Sequence, residues 1–320
     1  MPRFLLVLAA ALCAALASAQ QPFPSRGVTL VSPFPPGGST DAVARVVAQR
    51  MAQSLGHPVI VENTTGAGGS IGSGRVARAT PDGYTIVIGQ WDNHVANGVV
   101  YNLAYDLQRD FEPIGLLSVN PQLLIGRKTL PANDLRELVA WMKANPGKAT
   151  FAVQQASGQM AGTLLMQLTG TEVLFVPYKG GGPAMQDLIA GHVDLLAIQA
   201  AAAMPQVRAG TLKAFALLAP ARSPVVPGIP SADEAGVPGL YLPGWFALFA
   251  PKGTPREVIA KLDAAMQEAL ADPSVRAKFA DFGLDVASPE QQTPAGLAAF
   301  HKAEIDKWWP ILKASGIKVD

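Results

Sequence analysis

Short apolar runs alternate with helical patterns along this chain, and glycine-rich loops join several of them. The first such unit begins with the β-rich segment Val28–Phe34 and continues through two prolines and two glycines into a helical stripe with Val43, Val47 and Met51. A repeated strand–loop–helix order is typical of α/β proteins. The pattern therefore predicts an α/β fold with a largely parallel sheet flanked by helices.

The same unit recurs in the second half of the sequence. A predicted strand, Val173–Pro177, is followed by "YKGGGPAM", with Pro183 at the first helical position. A chain of 320 residues favours two domains over one. Two α/β halves with a glycine loop in each predict a cleft between two lobes, because ligands of open α/β sheets lie beyond the carboxyl ends of the strands.

Both glycine loops have features that suit a negatively charged ligand. Backbone N–H groups at a helix N-terminus attract anions, and the helix dipole adds partial positive charge. Asp41 lies in the first turn of the first helix, so a second anion there would need water or other donors between the two charges. The candidates on the two loops are Gly37, Gly38, Ser39, Asp41, Tyr178, Lys179, Gly180, Gly181 and Gly182.

Two further polar segments follow predicted strands and are candidates for the same cleft. "QWDNHVAN" follows the strand that ends at Ile88, and "QQASGQMAG" follows the strand that ends at Val153. Each segment alone fits a solvated turn better than a site. Their candidate side chains are Asp92, Asn93, His94, Gln155, Ser157 and Gln159.

Catalytic motifs in the sequence are weak. Residues 68–72 match the G-x-S-x-G pattern of α/β-hydrolases, but the chain 63–69 separates Ser70 from the preceding strand, and His301 lies in a helical stripe. A G-x-G-x-x-A match at 72–77 has no strand leading into it. The four histidines are scattered, which argues against a metal site. We expect no catalytic residues, no metal and no cofactor; a secreted hydrolase using Ser70 stays an alternative.

The N-terminus has the pattern of a secretory signal peptide. Arg3 precedes an apolar run, Phe4–Ala17, and small residues then mark a cleavage site near Ala19. The single cysteine, Cys13, lies inside this segment. Removing Arg3 from the 25 basic residues leaves 24 against 24 acidic ones, so the charge does not indicate nucleic acid as a partner. We predict export to the periplasm as a soluble protein.

Several ordered blocks give the chain a family resemblance. It resembles the tripartite tricarboxylate transporter substrate-binding proteins, also called Bug receptors, from about Pro24 to Asp320. The blocks are "PFPPGGSTD", "VENTTGAGGSIG" with "PDGYT", "NHVANGVVYNLAYDLQRDFEPIG", "VPYKGGGPAMQDLIAGHVD", "GWFALFAPKGTP" and the final "SGI". So many blocks in one order are more specific than any single glycine motif.

The resemblance implies a two-lobed periplasmic binding protein that closes on its ligand. Such receptors are not enzymes; they capture small organic carboxylates and deliver them to a two-subunit inner-membrane permease. We further expect a monomer with the signal peptide at 1–19, a first lobe at 20–123 plus 246–320, and a second lobe at 124–245. A receptor that signals through a partner remains a second alternative.

The resemblance also implies where the ligand is held. The contacts come from the loop like Phe34 to Asp41, where water can bridge Asp41 and a ligand carboxylate, and from the opposing loop around Tyr178 to Gly182. The chain departs from the family pattern near Trp91 and Asn93, lacks a histidine in "QQASGQMAG", and has Gln199 as the only polar side chain in "AIQAAAAM". These departures predict a more apolar or differently sized distal pocket, to which Trp91 and Gln199 contribute.

Overall fold

The computed structural model describes residues 23–119 and 122–317, so the predicted signal peptide lies outside the described residues. The described chain forms two β-sheets, each flanked by helices. The first sheet has the strand order β11-β4-β10-β3-β1-β2. Its strands are β1 (Val28–Ser32), β2 (Val59–Asn63), β3 (Thr85–Gln90), β4 (Phe111–Val119), β10 (Trp245–Pro251) and β11 (Asp285–Val286).

The second sheet lies between β4 and β10 in sequence. Its strand order is β7-β6-β8-β5-β9. The strands are β5 (Gln122–Arg127), β6 (Ala149–Val153), β7 (Val173–Pro177), β8 (Leu195–Gln199) and β9 (Leu212–Leu217).

Ten α-helices lie on the faces of these two sheets in the described part of the chain. A 3₁₀ turn, Ala67–Gly69, precedes the second helix, and a π-helical turn, Asp92–Ala96, follows β3. The helices are α1 (Ser39–Leu55), α2 (Ser70–Ala77), α3 (Asn97–Val100), α4 (Leu135–Ala144), α5 (Ala156–Thr169), α6 (Gly181–Ala190), α7 (Ala200–Arg208), α8 (Arg256–Ala271), α9 (Pro273–Asp281) and α10 (Pro294–Ser315). None of them is long and apolar enough to cross a membrane.

Both sheets are mixed, which corrects the prediction of largely parallel sheets. In the first sheet β1 is parallel to β2 and β3, but β10 is antiparallel to β3 and β4. In the second sheet β6 is parallel to β7 and β8, but β5 is antiparallel to β8 and β9. The antiparallel pairs arise where the chain passes from one sheet to the other: β5 enters the second sheet, and β10 returns between β3 and β4.

The core follows the predicted apolar patterns. The α1 stripe of Val43, Val47 and Met51 is fully buried and packs with α8 on one face of the first sheet. Each such side chain contributes roughly 1.5–3 kcal/mol through burial. On the opposite face Trp308 of α10 packs edge-to-face on Trp91, with 5.3 Å between ring centroids. Trp308 is thus a core residue.

The chain changes sheets twice, and we propose these changes as the lobe boundaries. The first change lies between Val119 and Gln122, and the second between Leu217 and Trp245. Gln122 and Leu123 pair with β8 of the second sheet. This placement assigns both residues to the second lobe, whereas the sequence prediction assigned them to the first. The other predicted boundaries remain predictions.

Candidate ligand-binding site

A narrow cavity lies where the carboxyl ends of strands from both sheets meet. We call it the inner cavity. All twelve residues that line it are uncharged. Seven of them were predicted: Phe34, Gly38, Ser39, Gln155, Gly181, Gly182 and Gln199. The others are Pro35, Thr40, Gln90, Gln154 and Ile198.

Four helices begin at this cavity: α1, α5, α6 and α7. In none of the four does the residue before the helix cap it with its own side chain; these residues are Gly38, Gln155, Gly180 and Gln199. Elsewhere, Asp134, Asp272 and Thr293 cap α4, α9 and α10, whereas α2, α3 and α8 also begin without a side-chain cap. An uncapped helix start leaves N–H donors and partial positive charge available. The inner cavity therefore attracts negative charge without a cationic side chain.

Two side chains in the lining keep free hydrogen-bonding groups. Ser39 is only 6% exposed, and its Oγ has no hydrogen-bond partner within the described residues. Gln154 donates from Nε2 to the carbonyl of Ala197 at 2.9 Å, while its buried Oε1 has no partner there. These groups, together with the helix N–H donors, can contact a ligand.

Asp41 is buried and shapes the first loop instead of facing the cavity. Its Oδ2 accepts from Gly37 N and Arg45 Nε, both at 3.0 Å. Its Oδ1 accepts from Asn63 Nδ2 at 3.0 Å and lies 2.9 Å from an Arg45 nitrogen. Burial raises the pKa of Asp41, but the bonds from Arg45, Gly37 and Asn63 outweigh burial and lower it.

These four contacts fill the acceptor positions of the Asp41 carboxylate. The structure therefore corrects two predictions: the water bridge from Asp41 to a ligand has no free acceptor, and the Gly37 N–H is not available to a ligand. Neither residue lines the inner cavity. The cause is local, because the carboxylate in the first helical turn closes back onto its own loop.

An outer cavity opens beside the inner one, and the two share Phe34, Pro35, Gln154 and Gln155. Its remaining lining comes mainly from the glycine loop 65–69, from Tyr101 and from 178–180. A Cβ on Gly180 would lie 3.0 Å from Cγ of Pro35, so the two predicted glycine loops meet across the cleft. The lobes are close together in this structure.

Tyr178 and Lys179 line the outer cavity rather than the inner one. The Tyr178 hydroxyl donates to Asp187 Oδ2 at 2.8 Å. Burial and this bond raise the pKa of Tyr178 to about 12, so the hydroxyl stays protonated. Lys179 is exposed. The second predicted loop thus contributes Gly181 and Gly182 to the inner cavity, and Tyr178, Lys179 and Gly180 to its entrance.

Trp91, Asn93 and His94 do not reach either cavity, which corrects their prediction as ligand contacts. The chain enters a π-helical turn directly after β3, and this turn directs the three side chains into the core. Asn93 accepts from Gln90 N at 2.8 Å and donates to Ser73 Oγ at 2.9 Å. Trp91 packs on the tryptophan of α10 described above.

His94 lies in an aromatic cluster. Its ring stacks on Phe249 with 4.3 Å between centroids, and its carbonyl oxygen lies 2.6 Å from His301 Nε2. Burial, with a smaller contribution from His301, lowers the pKa of His94 well below its usual value, so the ring is neutral.

Ser157 is 1% exposed and its donors are occupied. Its backbone N–H donates to Asp92 Oδ1 at 2.8 Å, and its Oγ lies 2.9 Å from Asp92 Oδ2. Asp92 is also 1% exposed; burial raises its pKa to about 6 against the lowering effect of Ser157. The structure therefore removes Ser157 from the predicted ligand contacts. Gln159 lies in the first turns of α5 and does not line either cavity.

Gln90, Gln154, Thr40 and Ile198 line the inner cavity but were missed as candidates. Gln90 ends β3, Ile198 lies near the end of β8, and Gln154 directly follows β6. A polar residue at the carboxyl end of a predicted strand would have indicated the two glutamines. Gln199, which was predicted from the departure from the family pattern, donates from its Nε2 to Gln90 Oε1 at 2.5 Å.

The geometry gives no catalytic arrangement around Ser70. Its Oγ accepts from Asn97 Nδ2 at 2.9 Å, and the serine begins α2 after a 3₁₀ turn instead of a strand. His301, the histidine considered as its partner, contacts the carbonyl of His94. A nucleophile–base pair needs the two side chains within hydrogen-bond reach.

Residues 43–317 match the model of the tripartite tricarboxylate transporter family receptor. The chain belongs to this receptor family. The periplasmic binding protein BugD has 38% sequence identity to this receptor and a TM-score of 0.86, over 92% of this chain and 99% of that chain. The predicted family and the two-lobed α/β fold are confirmed.

Two solved structures similar to this receptor contain ligands. MatC from Rhodopseudomonas palustris with bound malate is 40% identical, with a TM-score of 0.85, and the match covers 91% of this chain and all of that chain. Rpa4515 of R. palustris with adipate is 33% identical, with a TM-score of 0.87, over 92% and 99% of the two chains. These proteins and the family are solute-binding proteins, not enzymes.

Proposed function

We propose that this receptor captures a small organic carboxylate in the inner cavity, in the periplasm, and delivers it to a two-subunit membrane permease. The observation that carries the proposal is the meeting of four helix N-termini without their own side-chain caps at one uncharged cavity. Such a site binds a negative charge through backbone donors and helix dipoles. The malate of MatC and the adipate of Rpa4515 support a carboxylate as the ligand class.

A carboxylate held here would contact the start of α1. Gly38, Ser39 and Thr40 line the cavity at this point, and the Ser39 hydroxyl is free to donate. Gly181 and Gly182 of α6 lie on the opposite wall. Contacts from both lobes explain how binding would stabilise the closed arrangement, because a ligand shifts an equilibrium toward the state that it contacts more extensively.

Thermal-shift measurements followed by titration calorimetry test the ligand class. A screen of mono-, di- and tricarboxylates, aromatic ones included, is expected to raise the melting temperature for at least one member, since a ligand that binds only the folded state stabilises it. Dissociation constants on the order of micromolar correspond to about −8 kcal/mol. The absence of a shift with every carboxylate would overturn the proposal.

Gly182→Phe tests the location of the site. Gly182 lines the inner cavity, and a Cβ there meets no atom within 4 Å, so the backbone accepts a side chain at this position. We expect the variant to fold and to lose ligand binding at least about 100-fold, because the ring occupies the ligand's space. Gly228→Phe is the matched control, since a Cβ there also meets open space, but outside both cavities.

Export and delivery rest on the family membership and need their own measurements. Mass spectrometry of the periplasmic protein is expected to find an N-terminus near Gln20. Deletion of the receptor gene is expected to abolish uptake of the ligand found in the screen. Unchanged uptake combined with a lost transcriptional response would favour the signalling alternative over transport.

A further inference from the structure

Asp92 places a carboxylate of the protein itself at one of the four helix starts around the inner cavity. Ser157 occupies the second position of α5, where a backbone N–H has no partner inside the helix. That N–H and the Ser157 hydroxyl both contact Asp92, at 2.8 and 2.9 Å. Asp92 belongs to the first lobe and α5 to the second, so the carboxylate reaches this helix start from across the cleft.

We propose that Asp92 fills the α5 helix start in place of a ligand carboxylate, so that the inner cavity selects ligands with a single carboxylate and a neutral polar remainder. This inference rests on the proposed function, because it specifies the ligand class of the same cavity. The ligand carboxylate then binds at the starts of α1, α6 and α7.

The rest of the lining fits a neutral group. Four glutamine side chains, Gln90, Gln154, Gln155 and Gln199, line the inner cavity, and amides both donate and accept hydrogen bonds. The Gln154 Oε1 has no partner within the described residues, so it can accept from an N–H or O–H of a ligand. A second carboxylate has no protons to donate to this oxygen.

A second ligand carboxylate would also lack a cation. Arg45 is engaged with Asp41, and Lys179 is exposed in the outer cavity. The charge of Asp92 acts against it as well. Tyr101 lines the outer cavity, and its pKa is raised first by burial and then by the charge of Asp92. The negative charge of Asp92 therefore acts on groups in the cleft. An enclosed charge without a partner is costly, and like charges in one site disfavour each other.

Matched pairs of ligands test this inference directly. Succinate, glutarate and adipate are each compared with their half-amides, succinamate, glutaramate and adipamate, which have the same shape and one charge fewer. Titration calorimetry on the wild-type protein is expected to show the half-amide binding at least about tenfold more tightly than the diacid. If the thermal-shift screen identifies a ligand with another carbon skeleton, the diacid of that skeleton is compared with its half-amide instead.

Two variants test whether Asp92 causes the preference for the half-amide over the diacid. Asp92→Asn removes the charge, and Asp92→Ser also frees the helix N–H. We expect both to reduce the preference for the half-amide to threefold or less, and Asp92→Ser to gain diacid affinity in absolute terms. Glu257→Gln, which removes an exposed charge on α8, is expected to keep the wild-type preference. Circular dichroism and the melting temperature verify that each variant is folded.

The outcomes separate this inference from the proposed function. A wild-type protein that binds a diacid as tightly as its half-amide overturns the inference and leaves the carboxylate receptor intact. An unchanged preference in folded Asp92→Ser also overturns it. If no carboxylate binds at all, the proposed function fails, and the inference fails with it.

Discussion

Two buried carboxylates near the cleft are held in different ways. Asp41 is paired with Arg45 and accepts bonds from Gly37 and Asn63, and its pKa is lowered. Asp92 accepts bonds from the backbone N–H and the hydroxyl of Ser157, and burial raises its pKa to about 6. The first carboxyl is therefore ionised at a lower pH than the second, which carries its charge above about pH 6.

Asp92 is expected to make folding stability depend on pH. Because its pKa is raised in the folded state, its stabilising contribution is fully present below about pH 4 and is lost as the pH rises through about 6. Between pH 5 and 7 the wild type should lose on the order of 1–2 kcal/mol relative to Asp92→Asn. Urea unfolding of both proteins at several pH values measures the difference between their free energies of unfolding. The contributions of other titrating groups cancel in this difference. Parallel curves for the two proteins would contradict the expected pKa.

At the scale of single elements, four helices begin at the inner cavity without a side-chain cap of their own. Gly38 precedes α1 with φ −82° and ψ 174°, an extended conformation that other residues also adopt. A Cβ there would lie 3.6 Å from the carbonyl oxygen of Pro35, which is an ordinary contact. Glycine at this position is therefore not required by the backbone, and its lack of a side chain keeps the helix N–H groups accessible.

Gly38→Asp is expected to cap α1 and to abolish ligand binding. Its carboxylate would accept from the first N–H groups of α1 and occupy the place of the ligand. We expect the free protein to change in stability by only a few tenths of a kcal/mol, while the thermal shift caused by the ligand disappears. Gly38→Ala, which adds a Cβ without a capping oxygen, should keep most of the shift. A normal ligand response in Gly38→Asp would show that α1 is not part of the site.

The sequence predicted helix starts better than side-chain directions. The glycine loops located the α1 and α6 ends of the cavity, because these signals are local, but α6 begins at Gly181, two residues before the predicted start at Pro183. The residues after β3 were misplaced because the pattern did not show that a π-helical turn follows the strand and turns Trp91, Asn93 and His94 inward. The mixed sheets were missed for a similar reason, since β5 and β10 take their direction from the passage between sheets.

At the scale of the whole molecule, two polar contacts join the lobes on either side of the cavity. Gln199 donates to Gln90, and Ser157 donates to Asp92. Gly180 and Pro35 also lie close to each other at the outer cavity. These contacts link residues of the first sheet and its loops with those of the second, so they favour the closed arrangement.

Removal of the two polar contacts is expected to weaken binding through the population of the closed form. In the double variant Gln90→Ala/Ser157→Ala, two hydrogen bonds of about 1 kcal/mol each are lost. The apparent affinity should fall about fivefold to thirtyfold, because only the closed fraction holds the ligand well. Small-angle scattering should show a larger radius of gyration without ligand and a return to the wild-type value at saturation. Weakened binding with unchanged scattering would assign the loss to direct contacts alone.

The positive potential of the inner cavity comes from the backbone, at helices that begin there without their own caps. No single side-chain deletion can remove it, because the peptide dipoles remain whatever residues surround them. Selectivity among acids can therefore change through substitutions such as those at Asp92 or Gln199 while the ability to hold a carboxylate is retained. A fold of this kind can acquire new nutrients by altering its cavity walls, with its affinity for anions kept throughout.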